Sequence, residues 1–401
     1  MRDVRWDMEK KLHRILAESV VGVLGQVFDD GMVADRAVAR AFGANPKWGK
    51  RDRALVAESV YEIVRWRRRL AVLAGTDDLS ALAGFWWEEQ GFARPGWAAW
   101  PEWPEAVKAE RAAALAGMPR AVRESLPDAL DILGEAGLGE QWPVELSALN
   151  QAAPVFLRVN PRRGSVASVS AELEAAGVEV DLVAGCPLGL RVAGGRAVPA
   201  QLRGSGRFEI QDAASQQVAP FCQVERGMRV ADACAGAGGK TLHLAALLEG
   251  QGDLLAMDVE ERKLEALKAR AARATVKVRT ALISDEILTR NEGLLDRVLV
   301  DAPCSGSGTL RRQVDLKYRI TAESVARVRG VQREILTRCA PLVRSGGKLV
   351  YSTCSIFPSE NGEQAAWFSG QYPKFKLEEE RLISPAASGW DGFYMARWRR
   401  E

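Results

Sequence analysis

Histidine is almost missing from this chain of 401 residues: His13 and His243 are the only two. The six cysteines, Cys186, Cys222, Cys234, Cys304, Cys339 and Cys354, form no Cys-x-x-Cys pair. Zinc centres take their ligands from Cys, His and carboxylate side chains at short spacings, so the composition argues against a metal site. Unpaired thiols also suit a reducing compartment better than a disulfide-stapled secreted protein. No apolar run approaches the roughly 20 residues that span a bilayer. The opening Met1-Arg2-Asp3-Val4-Arg5-Trp6-Asp7 lacks the apolar core of a secretory signal. The expectation is a cytoplasmic protein with no membrane partner, and we expect a monomer. An excess of charge of one sign is lacking too, since 55 basic and 52 acidic side chains leave only +3. The distribution is more telling than the total: Arg65-Trp66-Arg67-Arg68-Arg69, the stretch Arg158 to Arg163, Arg311-Arg312 and Arg397 to Arg400 are local basic clusters. Each of them either tracks a phosphate backbone or is a solvated face.

What is present is length enough for two or three domains, with the 47% hydrophobic and 27% charged residues of a globular chain. Apolar residues at three- and four-residue intervals predict helices over Met8 to Phe28, Met32 to Ala41 and Asp52 to Leu70, punctuated by Gly31, Gly43 and Asn45-Pro46. Residues 76–105 mix Trp86, Trp87, Trp97, Trp100 and Trp103 with three prolines. This composition predicts an irregular connection whose indoles pack between helices, the alternative being stacking on bases. Short helices divided by Pro119, Pro127 and Pro143 follow. From Pro154 to Ile210 the pattern is that of a small α+β module. From Met228 onward strands and helices alternate, which predicts a doubly wound parallel sheet; the tail, Phe375 to Leu382 and Gly392 to Trp398, reads as a terminal strand pair.

Two strand ends in that sheet carry thiols. Leu299-Val300-Asp301-Ala302-Pro303-Cys304-Ser305-Gly306 and Leu349-Val350-Tyr351-Ser352-Thr353-Cys354-Ser355 each run from a buried-strand pattern into a cysteine. Ligands of open parallel sheets bind beyond the carboxyl ends of the strands, so these are places for a nucleophile. The alternative for any one cysteine is a small buried hydrophobe, and Cys222, Cys234 and Cys339 are read that way. Upstream, the strand ending at Asp232-Ala233 leads into Cys234-Ala235-Gly236-Ala237-Gly238-Gly239-Lys240-Thr241 and then a helix. This glycine turn matches neither the dinucleotide fingerprint nor the P-loop. A second strand ends at Asp258, roughly 20 residues on, the placement of an acid that holds a ribose diol. Together they predict a nucleoside-containing cofactor. Asp232 and Asp258 have a blander reading as helix caps, and Thr353 and Ser355 one as local backbone partners.

The segments DACAGAGGKT, AMDVEERK, DAPCSGSGTLRR, GGKLVYSTCSIFPSEN and WDGFYMARW, in this order, resemble the RsmB/Nop2/Sun family of RNA 5-methylcytosine methyltransferases. The resemblance implies an α/β fold: a Rossmann-like class I methyltransferase sheet at 213–401, preceded by a small α+β RNA-contacting module at 146–212. The segment KRDRALVAESVYEIVRWRRRL is similar to the NusB-like helical domain of bacterial family members. It implies an all-helical RNA-binding domain at 1–145. The implied cofactor is S-adenosyl-L-methionine, and the implied partner is RNA, with 16S ribosomal RNA favoured by the NusB-like front. Transfer RNA, DNA-type chemistry and a catalytically silent RNA-binding or assembly factor stand as alternatives.

Cytosine C5 does not take a methyl group from a sulfonium unaided. A thiolate adding to C6 makes C5 nucleophilic, and that thiol must later be eliminated. By resemblance Cys354 is the nucleophile and Cys304 assists release, while Asp301 and Lys240 contact the cytosine. For the cofactor the resemblance implies Asp258 at the ribose, Asp285 near the adenine, and Asp232, Ala233, Cys234, Ala235, Gly236, Ala237, Gly238 and Gly239 along the methionine side. Lys240, Arg262 and Asp301 complete that set. Ala237, Val314, Ser359 and Gly362 depart from the family's pattern, and none removes a catalytic group.

Overall fold

The computed structural model describes residues 11–194 and 197–401. The start of the first predicted helix, at 8–10, and the opening stretch 1–7 lie outside the described residues. The chain forms two compact units. The first takes in the chain up to Ala136 together with Leu310–Thr321; the second is Gly137–Thr309 with Ala322–Glu401.

The first unit is helical. Arg14–Phe28, Ala34–Ala44, Lys50–Ala74, Leu79–Glu89 and Glu105–Ala116 are its longer helices. In Lys50–Ala74 the predicted stripe Leu55, Val56, Val60, Ile63 and Val64 is buried, and Gly75 closes the helix with φ 71°, a left-handed conformation glycine adopts without a Cβ penalty. The Trp-rich segment differs from expectation in part. Asp78 accepts the Ala81 N–H at 2.8 Å and starts a regular helix, Leu79–Glu89, which carries Phe85, Trp86 and Trp87 into the core. The indoles do pack as expected: Trp87 donates to Ser59 Oγ at 2.9 Å and Trp103 to the Ala74 carbonyl at 2.9 Å. Residues 310–321 complete this core. Val314 is buried in it, the Tyr318 hydroxyl donates to the Val64 carbonyl at 2.8 Å, and Arg65 donates to the Arg311 carbonyl at 3.1 Å. Arg65 of the first basic cluster is thus an internal group rather than a solvated one.

The second unit contains two sheets. The smaller is antiparallel and built from β1 (Phe156–Val159), β2 (Val180–Leu182), β3 (Gly189–Val192) and β4 (Phe208–Ile210) in the order β2-β3-β1-β4, with the helix Val166–Ala175 packed against it. The larger has β5 (Arg229–Asp232), β6 (Asp253–Asp258), β7 (Arg279–Leu282), β8 (Leu295–Asp301), β9 (Val343–Thr353), β10 (Phe375–Ile383) and β11 (Phe393–Arg400), in the order β10-β11-β9-β8-β5-β6-β7. β11 runs antiparallel to both β9 and β10, and the ladders from β9 through β8, β5 and β6 to β7 are parallel. This is the predicted doubly wound sheet closed by the predicted terminal strand pair, and the last strand is antiparallel to its neighbours. Pro220 sits in the last turn of the helix Ala213–Phe221, which ends one residue after it. The helices Asp285–Arg290 and Gly362–Gln371 were not expected; both are short and interrupt stretches with little periodicity.

The basic tail is part of the sheet. Arg397 is buried, with Nε to Glu378 and Nη2 to Glu379, each at 3.0 Å, and Nη1 on the Phe221 carbonyl at 2.9 Å. Trp398 is fully buried, its indole N–H on Ser369 Oγ at 2.9 Å and its ring 4.9 Å from that of Phe368. Removing an indole from such a site leaves a cavity the strands cannot fill. Trp398→Ala is expected to lower the unfolding free energy by about 3–5 kcal/mol, read as a fall in the denaturant midpoint at unchanged slope.

Candidate active site

The parallel β8–β9 ladder pairs Asp301 with Ser352. Cys304 follows three residues after one partner and Cys354 two residues after the other, so a single register carries both thiols past the same edge. Their sulfurs lie 3.3 Å apart. The loops are locked together by the Gly308 N–H, which donates to the Cys354 carbonyl at 2.9 Å. A Cβ on Gly308 would stand 2.3 Å from the Gly392 carbonyl, so only glycine fits this approach.

Asp301 is held at both oxygens. Lys240 Nζ donates to Oδ2 at 2.6 Å and Ser352 Oγ to Oδ1 at 2.7 Å. Lys240 begins the helix Gly239–Leu247, and its ammonium lies 5.0 Å from the ring centroid of Phe393. Burial alone would pull the Lys240 pKa down, but the Asp301 charge and hydrogen bond, with the Cys354 and Asp232 charges, hold it above its ordinary value. Lys240 is therefore a fixed cation within electrostatic range of the Cys354 sulfur. Cys304 is held well above the usual thiol range by its hydrogen bond with Cys354, then by burial and the Cys354 and Glu360 charges. Cys304 is therefore a thiol at neutral pH.

The glycine turn lies beside this pair. Gly236 has φ 53° and open space where a Cβ would stand. Its N–H donates to Asp258 Oδ2 at 2.8 Å, and Asp258 Oδ1 accepts the Glu260 N–H at 2.9 Å. Asp258 thus fixes the turn and the backbone that follows it, and is not the cap of the helix Glu261–Ala274. Asp232 is 1% exposed. Thr241 Oγ1 donates to its Oδ2 at 2.7 Å, while Oδ1 has no partner. Burial, reinforced by the Asp301 charge, pushes the Asp232 pKa up to about 7 against the Thr241 hydrogen bond and Lys240. A buried carboxylate with one unmatched oxygen calls for a cationic ligand. S-adenosylmethionine fits the chemistry of these residues: Asp232 would suit its cationic groups, Asp258 its ribose diol, and Val259, which is 75% exposed, an apolar ring face.

The sequence expectations separate cleanly. Cys304, Cys354, Asp301 and Lys240 come together, and Asp232, Gly236 and Asp258 line the turn beside them. Ala233 and Ala235 are buried and Cys234 is half-buried, its thiol pushed up chiefly by burial. The Ala237 carbonyl accepts Arg270 Nη1 at 2.7 Å, which braces the turn at the position departing from the family pattern. Arg158 of β1 reaches the Gly239 carbonyl at 2.6 Å, so the smaller sheet braces it too. Asp285 is turned outward, 95% exposed at the side chain and paired with Arg338 at 2.9 Å. Arg262 is exposed on the first turn of the helix Glu261–Ala274. Neither is hydrogen-bonded to the turn among the described residues. Sequence reasoning missed Ser352 and Phe393, which the strand register and the return of β11 bring to the site, and Thr241, Val259 and Glu360, which lie within a few residues of predicted site residues. Thr353 and Ser355 turn out to bond side chains as well as backbone, at Asn361 (2.6 Å) and Glu360 (2.7 Å).

A parallel sheet with one antiparallel strand near its edge, a glycine turn after β5 and an acid ending β6 define a Rossmann-like methyltransferase, the S-adenosylmethionine-dependent class. Comparison with known proteins narrows this. Residues 221–399 match the family described as 16S rRNA methyltransferase RsmB/F, and residues 135–199 match the RsmF/B-like ferredoxin-like domain. Both matched regions are thus similar to RsmB/F methyltransferases. It is 35% identical over 267 residues to a probable ribosomal RNA small subunit methyltransferase B of Synechocystis, covering 65% of this chain and 60% of that protein. It is 32% identical over 268 residues to the probable counterpart in Bacillus subtilis, covering 61% and 59%. The match thus spans about 60% of the length of these curated relatives. Among solved structures, PH0851 superposes with a TM-score of 0.79 at 22% identity, covering 97% of this chain and 99% of the other. NSun6 from Pyrococcus horikoshii with SFG superposes with a TM-score of 0.63 at 19% identity, covering 68% and 98%. These two structures share the fold. Among the described residues no helix is long and apolar enough to cross a membrane, and no cluster of ligating side chains could hold a metal.

Asp232 gives the site a pH signature. Its folded pKa of about 7 lies above the ordinary aspartate value, so the native state holds a proton that the unfolded chain releases. The stability this contributes is complete below about pH 4 and is lost as pH rises through about 7. Asp232→Asn is therefore expected to melt higher than wild type at about pH 8, with the gap closing toward about pH 4. Calorimetry across that range checks it.

Proposed function

We propose that this chain methylates C5 of cytosine in RNA, with small-subunit (16S) ribosomal RNA as substrate and S-adenosyl-L-methionine as methyl donor. The observation that carries the reading is the pair of unlike sulfurs 3.3 Å apart beside the Lys240–Asp301 pair. A single buried thiol serves packing; two at one strand edge, beside a fixed cation, serve a reaction that must make and then break a carbon–sulfur bond. The matched family descriptions and the names of the curated relatives favour RNA and, within RNA, the small ribosomal subunit.

In this reading the Cys354 thiolate, opposite the Lys240 ammonium, adds to C6 of the base, and C5 becomes nucleophilic. Bound S-adenosylmethionine supplies an electrophilic methyl group there. Asp301, fixed by Lys240 and Ser352, holds the polar edge of the ring. After transfer the C5 proton leaves to solvent, the C6–S bond breaks and its electron pair returns to the Cys354 sulfur, against which the Cys304 S–H is already poised. Asp232 to Gly239 and Asp258 hold the donor, with Arg262 and Asp285 at its outer reach. A stacked base is out of reach of this crevice, so the cytosine is unpaired or flipped. Residues 1–145 act as a NusB-like RNA-binding domain, 146–212 as an RNA-contacting module, and 213–401 as the transferase.

The test is a denaturing gel of wild type, Cys304→Ala and Cys354→Ala incubated with S-adenosylmethionine and small-subunit ribosomal RNA. A covalent protein–RNA band is expected to accumulate in Cys304→Ala and to be missing from Cys354→Ala. A band persisting in Cys354→Ala reverses the two roles, and no band with any RNA removes the covalent reading.

A further inference from the structure

Behind the two cysteine loops lies a carboxylate that the proposed chemistry does not use. Glu360 is fully buried. Its Oε1 accepts Ser305 Oγ at 2.5 Å and Ser355 Oγ at 2.7 Å; its Oε2 accepts the Ser305 N–H at 2.7 Å and Gln332 Nε2 at 3.2 Å. Ser305 follows Cys304 and Ser355 follows Cys354, so one side chain ties both thiol-bearing loops. Ser307 Oγ joins the cluster at 2.9 Å from Ser355 Oγ and takes the Ile356 N–H at 3.0 Å. Asn361 pins the Cys354 loop from its other side, accepting Thr353 Oγ1 at 2.6 Å and donating to the Ser355 carbonyl at 2.9 Å.

The donors to Glu360 are all neutral. A hydrogen-bonded but uncompensated carboxylate is an expensive thing to bury if the purpose is only to join two loops, since a serine or glutamine joins loops without a charge. What the charge adds is a negative field that reaches the Cys304 sulfur. We propose that Glu360 is a positioning residue: bonded to Ser305 and to Ser355, it fixes the two thiol-bearing loops, and with them the two sulfurs, against each other and sets a buried carboxylate beside the Cys304 loop. This rests on the proposed assignment of Cys354 as nucleophile.

The titratable groups that act on the Cys304 sulfur are Cys354, just past β9, Tyr351 within β9, and Glu360. Tyr351 is held neutral well past the ordinary phenol range by burial first and then by the Cys304 and Glu360 charges, and it donates its proton to the Glu360 carbonyl at 2.7 Å. Lys240 is taken up by Asp301. Of the fixed charges, Glu360 is the one hydrogen-bonded to the residue next to Cys304, and it opposes ionisation of that thiol.

The test reads the thiol directly, on the full chain, without RNA or cofactor. In a Cys354→Ser background, alkylation of Cys304 by iodoacetamide is followed against pH by peptide mass spectrometry, with and without Glu360→Gln. The amide keeps the size and loses the charge. The profile is expected to move acidward by about one pH unit, with alkylation at about pH 8 faster by roughly tenfold. Superimposable profiles overturn the proposal. If Glu360→Gln does not fold, Ser355→Ala is read in its place: it keeps the charge and removes one of its donors, so the profile moves alkaline, and an acid shift or none overturns the proposal. The two readings fail separately. A shifted thiol profile with no RNA adduct leaves Glu360 its role and removes cytosine methylation; an adduct through Cys354 with an unshifted profile does the reverse.

Discussion

The register of one parallel strand pair governs this site. With Asp301 opposite Ser352, the ladder of β8 and β9 delivers a carboxylate, a hydroxyl and two thiols to one edge of the sheet. A slip of one residue would turn every side chain of one strand to the other face. Ser352 would then leave Asp301 and the sulfurs would part. The register is secured from several directions: by buried apolar residues on both strands, by β11 lying against β9 for six residue pairs, and by the Gly308 N–H on the Cys354 carbonyl. The chemistry inherits its precision from this packing rather than from the loops themselves.

Three carboxylates within this region do different work because their surroundings differ. Asp301 meets a lysine and a hydroxyl and serves as a fixed anion. Asp232 is buried with one hydroxyl on it and a second carboxylate near it, and shares a proton near neutrality. Glu360 meets only neutral donors and ties together the loops that carry the two thiols. The residue types alone do not distinguish these roles; the donors around each one do.

Much of this was legible in the amino-acid sequence because parallel sheets announce their strands as short apolar runs and place ligands beyond their ends. That logic alone brought Cys304, Cys354, Asp232 and Asp258 to one edge, and the family resemblance added Lys240 and Asp301. It failed where the deciding partner comes from far away in sequence. Ser352 matters through a pairing 51 residues distant, and Phe393 through a strand that returns antiparallel. Glu360 is five residues past Ser355 and inside a stretch singled out by its motif, yet a glutamate in a polar turn reads as surface until burial is seen. The helix Leu79–Glu89 was hidden by its own tryptophans and the prolines that follow, whose composition reads as irregular although Asp78 caps a regular turn.

The segment Leu310–Thr321 has a consequence for how the molecule is made. It begins one residue after Thr309, where the loop bearing Cys304 ends, and yet Val314, Lys317 and Tyr318 are building blocks of the helical unit, Lys317 reaching the Arg65 carbonyl from within it. The helical unit is therefore discontinuous in the chain. On the ribosome its first 136 residues must wait, with a gap in their core, until Thr321 has emerged, by which time β5 to β8 have already been synthesised. A cut at Ala136 would not release an intact amino-terminal domain, and the remaining piece would carry a bared apolar segment directly after the loop that bears Cys304. Order of synthesis thus ties completion of the helical unit to the part of the chain that carries the first of the two thiols.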